Sequence, residues 1–198
     1  MRHAYLALAL RGQNKTVDAD KEWALAEKQA SVQPALLSLL TRATSEWRWE
    51  KEWRELLWNL TKYPETQFEA MQNLYQKYSN DGDTAGLYRV LIRLVELVSD
   101  DERIQNNFAQ VCLLLNADVE RARKLAEHLY QKERTNPAYA STYAYALYIK
   151  GDTKGALKII GALNETQLRE PSIAAYYGVL LAAGGNAQDA REYLKLGA

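Results

Sequence analysis

The sequence predicts an all-α fold, a solenoid of about twelve helices paired into six antiparallel hairpins. Three observations predict it. Glycine and proline are scarce, at 10 and 4 of 198 residues, and no segment alternates as a strand would. Apolar residues recur at helical spacing along the chain. In the second half, residue types return at a step of 34: Pro137 and Pro171, Tyr143 and Tyr177, Leu147 and Leu181. Three-member series run in the same register through Ala122, Ala156 and Ala190, through Ala117, Gly151 and Gly185, and through Asp118, Asp152 and Asn186.

The helices are expected at 2–12, 18–31, 34–44, 47–62, 65–80, 84–99, 101–116, 119–134, 137–150, 153–163, 171–183 and 187–196. The segment Ala4 to Leu10 reads as part of an amphipathic first helix, because no small-residue cleavage site follows it. Pro34, Pro137 and Pro171 suit helix starts, where a missing N–H leaves no bond unmade. Gly151 and Gly185 suit helix ends, where left-handed backbone is needed. Along 119–134, Val119, Ala122, Leu125, Ala126, Leu129 and Tyr130 draw one apolar stripe, with Asp118 expected as its N-cap. Upstream, Gly82-Asp83-Thr84 echoes Gly151-Asp152-Thr153 at two periods plus one residue, and Pro34 precedes Pro137 by three periods plus one. No Gly/Ser/Pro-rich linker interrupts the chain, so 1–198 reads as one repeat domain. Its divergent units lie in 1–67 and its clearer ones in 68–101, 103–136, 137–170 and 171–198.

Several chemistries are disfavoured. Lys and Arg balance Asp and Glu at 25 each, unlike the basic balance of a nucleic-acid binder. One Cys leaves no intramolecular disulfide framework, and two His offer little for metal or triad chemistry. Nucleotide-binding glycine loops, zincin motifs and the nucleophile-elbow motif do not occur. Cys112 falls on a stripe with Ile104, Phe108, Val111 and Leu115 and reads as a small hydrophobe. His128 sits at the edge of the apolar stripe on 119–134 and His3 near the terminus, and neither reads as a ligand or general base. Glu50, Glu52 and Glu55 interleave with Arg48, Lys51 and Arg54 as a solvated face. Trp47, Trp49, Trp53 and Trp58 crowd one stretch, with Trp23 upstream. They read as core of a divergent repeat or as an aromatic platform for a partner.

The 34-residue helix–turn–helix unit, with small residues at fixed packing points, resembles the tetratricopeptide repeat. Tyr143-Ala144 with Leu147, and Tyr177-Gly178 with Leu181, match the middle of that family's first helix. Gly151 and Gly185 match its turn, and Ala122, Ala156 and Ala190 its small second-helix residue. Ala140 and Ala174 stand where the family carries an early Trp, and Leu168 where it carries a late Pro. The match is clearest over 68–198 and faintest over 1–67. Sel1-type and other helical hairpins have different usual periods.

The resemblance implies a right-handed superhelix whose first helices line a concave surface. By position, that surface holds Gln72, Asn73 and Gln76, then Asn107, Val111 and Leu114, then Ser141, Tyr145 and Tyr148, then Ala175 and Val179. The Lys set with which some members hold a C-terminal carboxylate has no match here. The helix 137–150 is apolar on nearly every side. Its tyrosines combine an apolar ring with a polar tip, which makes Tyr145 and Tyr148 the expected anchors. The expected function is a scaffold or adaptor that takes a peptide or helix of another protein in the groove. It would have no enzymatic activity, cofactor, metal, nucleic-acid partner or membrane span. A structural spacer and a regulatory small-molecule domain are the alternatives. Tyr193 and Leu194 of the last helix are expected to be partly uncovered, which implies either a fragment of a longer protein or self-association there. The lone Cys suits the cytoplasm and is compatible with a periplasm.

Overall fold

The computed structural model describes residues 1–197. Among them there are thirteen helices and no strand. They fall into two compact units, Met1–Asp83 and Thr84–Ala198. The boundary lies inside the expected repeat 68–101, between its two helices.

Unit 1 holds α1 (Arg2–Gly12), α2 (Thr16–Ala30), α3 (Pro34–Glu46), α4 (Glu50–Leu60) and α5 (Pro64–Asn80). Consecutive helices pack in order, with α1–α2 and α3–α4 as hairpins and α5 against α4. Unit 2 holds α6 (Thr84–Leu97), α7 (Glu102–Leu114), α8 (Val119–Lys132), α9 (Pro137–Ile149), α10 (Thr153–Ile160), α11 (Glu165–Leu168), α12 (Pro171–Ala183) and α13 (Ala187–Leu196). Its hairpins are α7–α8, α9–α10 and α12–α13, and α6 packs against α7. The first helices α7, α9 and α12 also touch in sequence, forming an inner row.

One backbone feature shows the repeat through both units. Asn14, Arg48, Gly82, Asn116, Gly151 and Gly185 adopt left-handed φ of 60, 59, 66, 53, 92 and 89°. They stand 34 residues apart, except for 35 between Asn116 and Gly151. At each, the following N–H reaches back to the helix it leaves: Lys15 to Leu10, Trp49 to Thr44, Asp83 to Tyr78, Ala117 to Cys112, Asp152 to Leu147 and Asn186 to Leu181, all at 2.8–2.9 Å. The left-handed residue's own N–H bonds the carbonyl three residues back, as in Asn14 to Arg11 and Gly151 to Tyr148. This is the Schellman closure, made six times.

The extra residue of the 35-residue interval is Asp118. It takes a second left-handed conformation (φ 47°) in the α7–α8 turn and makes no side-chain cap bond. The expectation of Asp118 as N-cap is thereby overturned; its carboxylate lies 3.7 Å from Arg121 instead. The left-handed seat of that turn is Asn116 rather than Ala117. Asp152 and Asn186 do cap their helices, through Gly155 N–H and Asp189 N–H.

The fourth residue of the second helix is the other recurring element. Ala19, Ala122, Ala156 and Ala190 occupy it and are buried to 2% exposure or less. A methyl there lets the paired helices close. In α6 the seat is Leu87, and in α4 it is Trp53. The one-turn helix α11 was not expected. Asn164 and Gln167 build it by a reciprocal capping box. The expected helix 47–62 starts only at Glu50, which leaves Trp47 and Trp49 flanking the left-handed Arg48.

Candidate functional site

In unit 2 the inner row carries the aromatic residues. Tyr145 and Tyr148 are half-buried on α9, with ring centroids 5.8 Å apart. The Tyr145 ring meets Tyr176 of α12 edge to face at 5.2 Å. Gln110 of α7 donates from Nε2 to the Tyr176 hydroxyl at 2.8 Å. That bond joins the helices on either side of α9 and draws the three side chains over the row. Burial raises the Tyr145 pKa, with a smaller contribution from Tyr148. Burial pushes Tyr176 up to about 12 against the opposing effect of the Gln110 bond. The Tyr145 and Tyr176 phenols are therefore neutral near pH 7, and the hydroxyls of Tyr145 and Tyr148 make no hydrogen bond among the described residues.

The other residues expected on this surface divide by burial. Leu114 is 48% exposed, and Asn107 and Val179 are half-buried. Val111 and Ser141 are buried, and the Ser141 hydroxyl donates to the Ala138 carbonyl at 3.0 Å, so both serve packing. The apolar circumference of α9 is largely shielded by its neighbours: Tyr139, Ala140, Ala144 and Ala146 are all buried. Gln110 and Tyr176 were missed. Each lies three residues from an expected contact, Asn107 or Val179, and one helical turn of spacing would have included them.

In unit 1, Gln72, Asn73 and Gln76 are exposed on α5. Asn73 donates to the Glu69 carbonyl at 3.0 Å, and Gln76 donates to Asn80 at 2.8 Å. Asn73 also lines a cavity of about 380 Å³ between α3 and α5. Its walls are Ser38, Thr41, Arg42, Ser45 and Glu46 on one side and Glu69, Ala70 and Asn73 on the other. Trp53, Leu57 and Leu60 of α4 form its floor. A second cavity of about 230 Å³, reaching Arg48 and Lys77, shares Ser45 and Trp53 with the first.

The tryptophans do not form one platform. Trp49 packs against Trp23 at 5.4 Å and Trp47 at 5.2 Å, and Trp47 meets Tyr5 at 5.6 Å. The Arg11 guanidinium covers Trp49 at 3.8 Å and reaches Glu52 at 2.5 Å. Glu52 is 9% exposed, which overturns the solvated reading of that carboxylate. Burial opposes the charge on Arg11, but bonds to Glu52 and Asp20 outweigh it and raise the pKa. Trp58 donates to Tyr78 at 3.0 Å. Trp53 has no ring or side-chain hydrogen-bond partner among the described residues.

Elsewhere, Cys112 is fully buried, and burial pushes its thiol up to about 11. His3 pairs with Glu22 at 2.6 Å. Among the described residues no His/Cys/Asp/Glu group is arranged to hold a metal ion, and no helix is long and apolar enough to cross a membrane. No protein-family model matches the chain, and no curated protein matches it.

Proposed function

We propose that this chain is a tetratricopeptide-like interaction module with no catalysis of its own, taking a segment of a partner protein on its inner-row face. The observation that carries the reading is the packed cluster of Tyr145, Tyr148 and Tyr176 over α9. Its rings are held in place by packing, so a partner's apolar side chains would meet them at little cost in side-chain entropy. Its two open hydroxyls would supply direction, and tyrosine is favoured at binding hot spots for both reasons. The turns repeating at 34 residues and the buried alanine seats support the family assignment. The balanced charge favours a protein partner over nucleic acid. A reducing cytoplasm accords with a single buried thiol.

The test is affinity capture from the native source with wild type and with Tyr145→Ala plus Tyr148→Ala, followed by mass spectrometry. Recovery of a specific protein should fall about tenfold or more in the double variant. Equal recovery, with the helical circular dichroism signal unchanged, would remove this face from the binding surface.

A further inference from the structure

The hairpin α3–α4 departs from most of the other repeats at two places, Trp53 and Arg48; Trp53 lines the cavity of about 380 Å³, and Arg48 lines the adjoining one of about 230 Å³. Four second helices put alanine at the fourth position, and α4 puts Trp53 there. The Trp53 side chain lines the space between α3 and α5, together with Leu57 and Leu60 of the same helix. Four of the six left-handed turn residues are the Gly82, Gly151 and Gly185 of one kind or Asn116 of another; Asn14 makes a fifth. The sixth is Arg48, whose backbone carries the strain of a non-glycine, non-asparagine side chain in that region.

Of the polar groups around Trp53, the Thr41 and Thr66 hydroxyls donate to the Leu37 and Leu60 carbonyls, and the rest are unspent. Ser38, Arg42, Ser45, Glu46 and Glu69 make no side-chain hydrogen bond or ion pair among the described residues. Asn73 uses only its amide N–H, which leaves its carbonyl oxygen open. The set contains donors and acceptors together. A carboxylate or phosphate ligand would face Glu46 and Glu69, and a cationic ligand would face Arg42. The occupant that suits all of them is uncharged, both donates and accepts hydrogen bonds, and has a flat apolar face for the indole.

We infer that the cavity over Trp53 binds a neutral carbohydrate, with the C–H face of a sugar ring against the indole and its hydroxyls on Ser38, Ser45, Arg42, Glu46, Glu69 and Asn73. About 380 Å³ lies within the range of small-molecule sites. This site shares no residue with the tyrosine face of unit 2, so either assignment stands or falls without the other.

The experiment follows the tryptophan indole N–H resonances of the full-length 15N-labelled chain. Maltose, cellobiose and N,N′-diacetylchitobiose are titrated in turn, beside the uncharged tripeptide Ala-Gln-Ala. The Trp53 resonance is assigned by its loss in Trp53→Phe. At least one disaccharide should shift the Trp53 indole and the backbone amides of Ser45 and Asn73 saturably, with Kd on the order of 1 mM. The same sugar's binding, read from its own saturation-transfer signal, should survive in Trp53→Phe. It should weaken about tenfold or more in Trp53→Ala and in Ser45→Ala plus Asn73→Ala. Trp53→Ala should fold, because alanine already fills that seat in four other helices. The inference is overturned if no disaccharide saturates the site, if binding persists in Trp53→Ala, or if only the tripeptide shifts Trp53.

Discussion

Replacing Arg48 by glycine should stabilise the protein, which is the reverse of what glycine does in most positions. Arg48 holds φ of 59° between α3 and α4. A side chain there brings Cβ against the following carbonyl oxygen, at about 1–2 kcal/mol. Glycine removes that cost but loses about 0.5–1 kcal/mol through the greater freedom of its unfolded chain. The guanidinium makes no ion pair among the described residues, so nothing is lost with it. The balance is a gain of about 0.5–1 kcal/mol, a rise in melting temperature of about 2–3 °C for a chain of this length. Thermal unfolding followed at 222 nm, with urea unfolding as a second measure, reads it directly. The opposite exchange, Gly151→Arg, imposes the same strain on a seat where a Cβ would meet nothing within 4 Å, and it should lower the melting temperature. If Arg48→Gly is neutral or destabilising while Gly151→Arg behaves as expected, the strain assigned to Arg48 is refuted.

Two further predictions concern packing and capping. A Cβ on Gly178 would lie 2.7 Å from Leu194 Cγ and 3.0 Å from the Leu194 backbone nitrogen. Gly178→Ala should therefore force α12 and α13 apart at about 1–3 kcal/mol, measured as a lower urea midpoint; an unchanged midpoint would show that α13 shifts freely. Asp101 caps α7 by accepting from Arg103 N–H at 2.9 Å and Ile104 N–H at 3.2 Å. Burial works to raise its pKa, but these backbone bonds outweigh it, and the folded value lies below the ordinary 3.8. A lowered folded pKa means stability that is present above the unfolded value and lost as pH falls through the folded one. Asp101→Ala should cost about 1 kcal/mol at neutral pH. Its gap to wild type should close as the pH drops below about 4. A gap that persists into strong acid would show that the carboxylate's charge is not what stabilises α7.

The second half of the molecule was readable because its repeats mark their turns with glycine and their helix starts with proline. Residues 1–67 hid the same turn. The seat at Asn14 tolerates left-handed backbone through a short polar side chain, and Arg48 tolerates it only at a cost. The conformation recurs where the residue type does not. Similarly, Ala19 belongs to the alanine series, but Trp53 and Leu87 interrupt it between Ala19 and Ala122. Helix α11 escaped notice because four residues carry no period, although Asn164 and Gln167 are a recognisable capping pair. On the tyrosine face, position along the repeat led to Tyr145 and Tyr148. The Tyr145 contact with Tyr176 joins two repeats, and the tie of Tyr176 to Gln110 crosses 66 residues of chain that no local pattern connects. Ser141 and Val111 share the expected stripe but are buried, since sharing a stripe does not say which edge of it a neighbouring helix covers.

The Schellman turns carry a consequence for how such a chain tolerates change in length. The sequence between these six turns was free to diverge because each turn restarts the register for the next helix. The inserted Asp118 shows the tolerance directly: one added residue is taken up by a second left-handed step, and α8 still seats Ala122 at full burial. Errors in spacing are thus corrected at every hairpin instead of accumulating. Natural variants and designed insertions should be borne best one or two residues past a helix end. There the chain behaves as a hinge line between independent reading frames, and added length need not disturb the packing on either side.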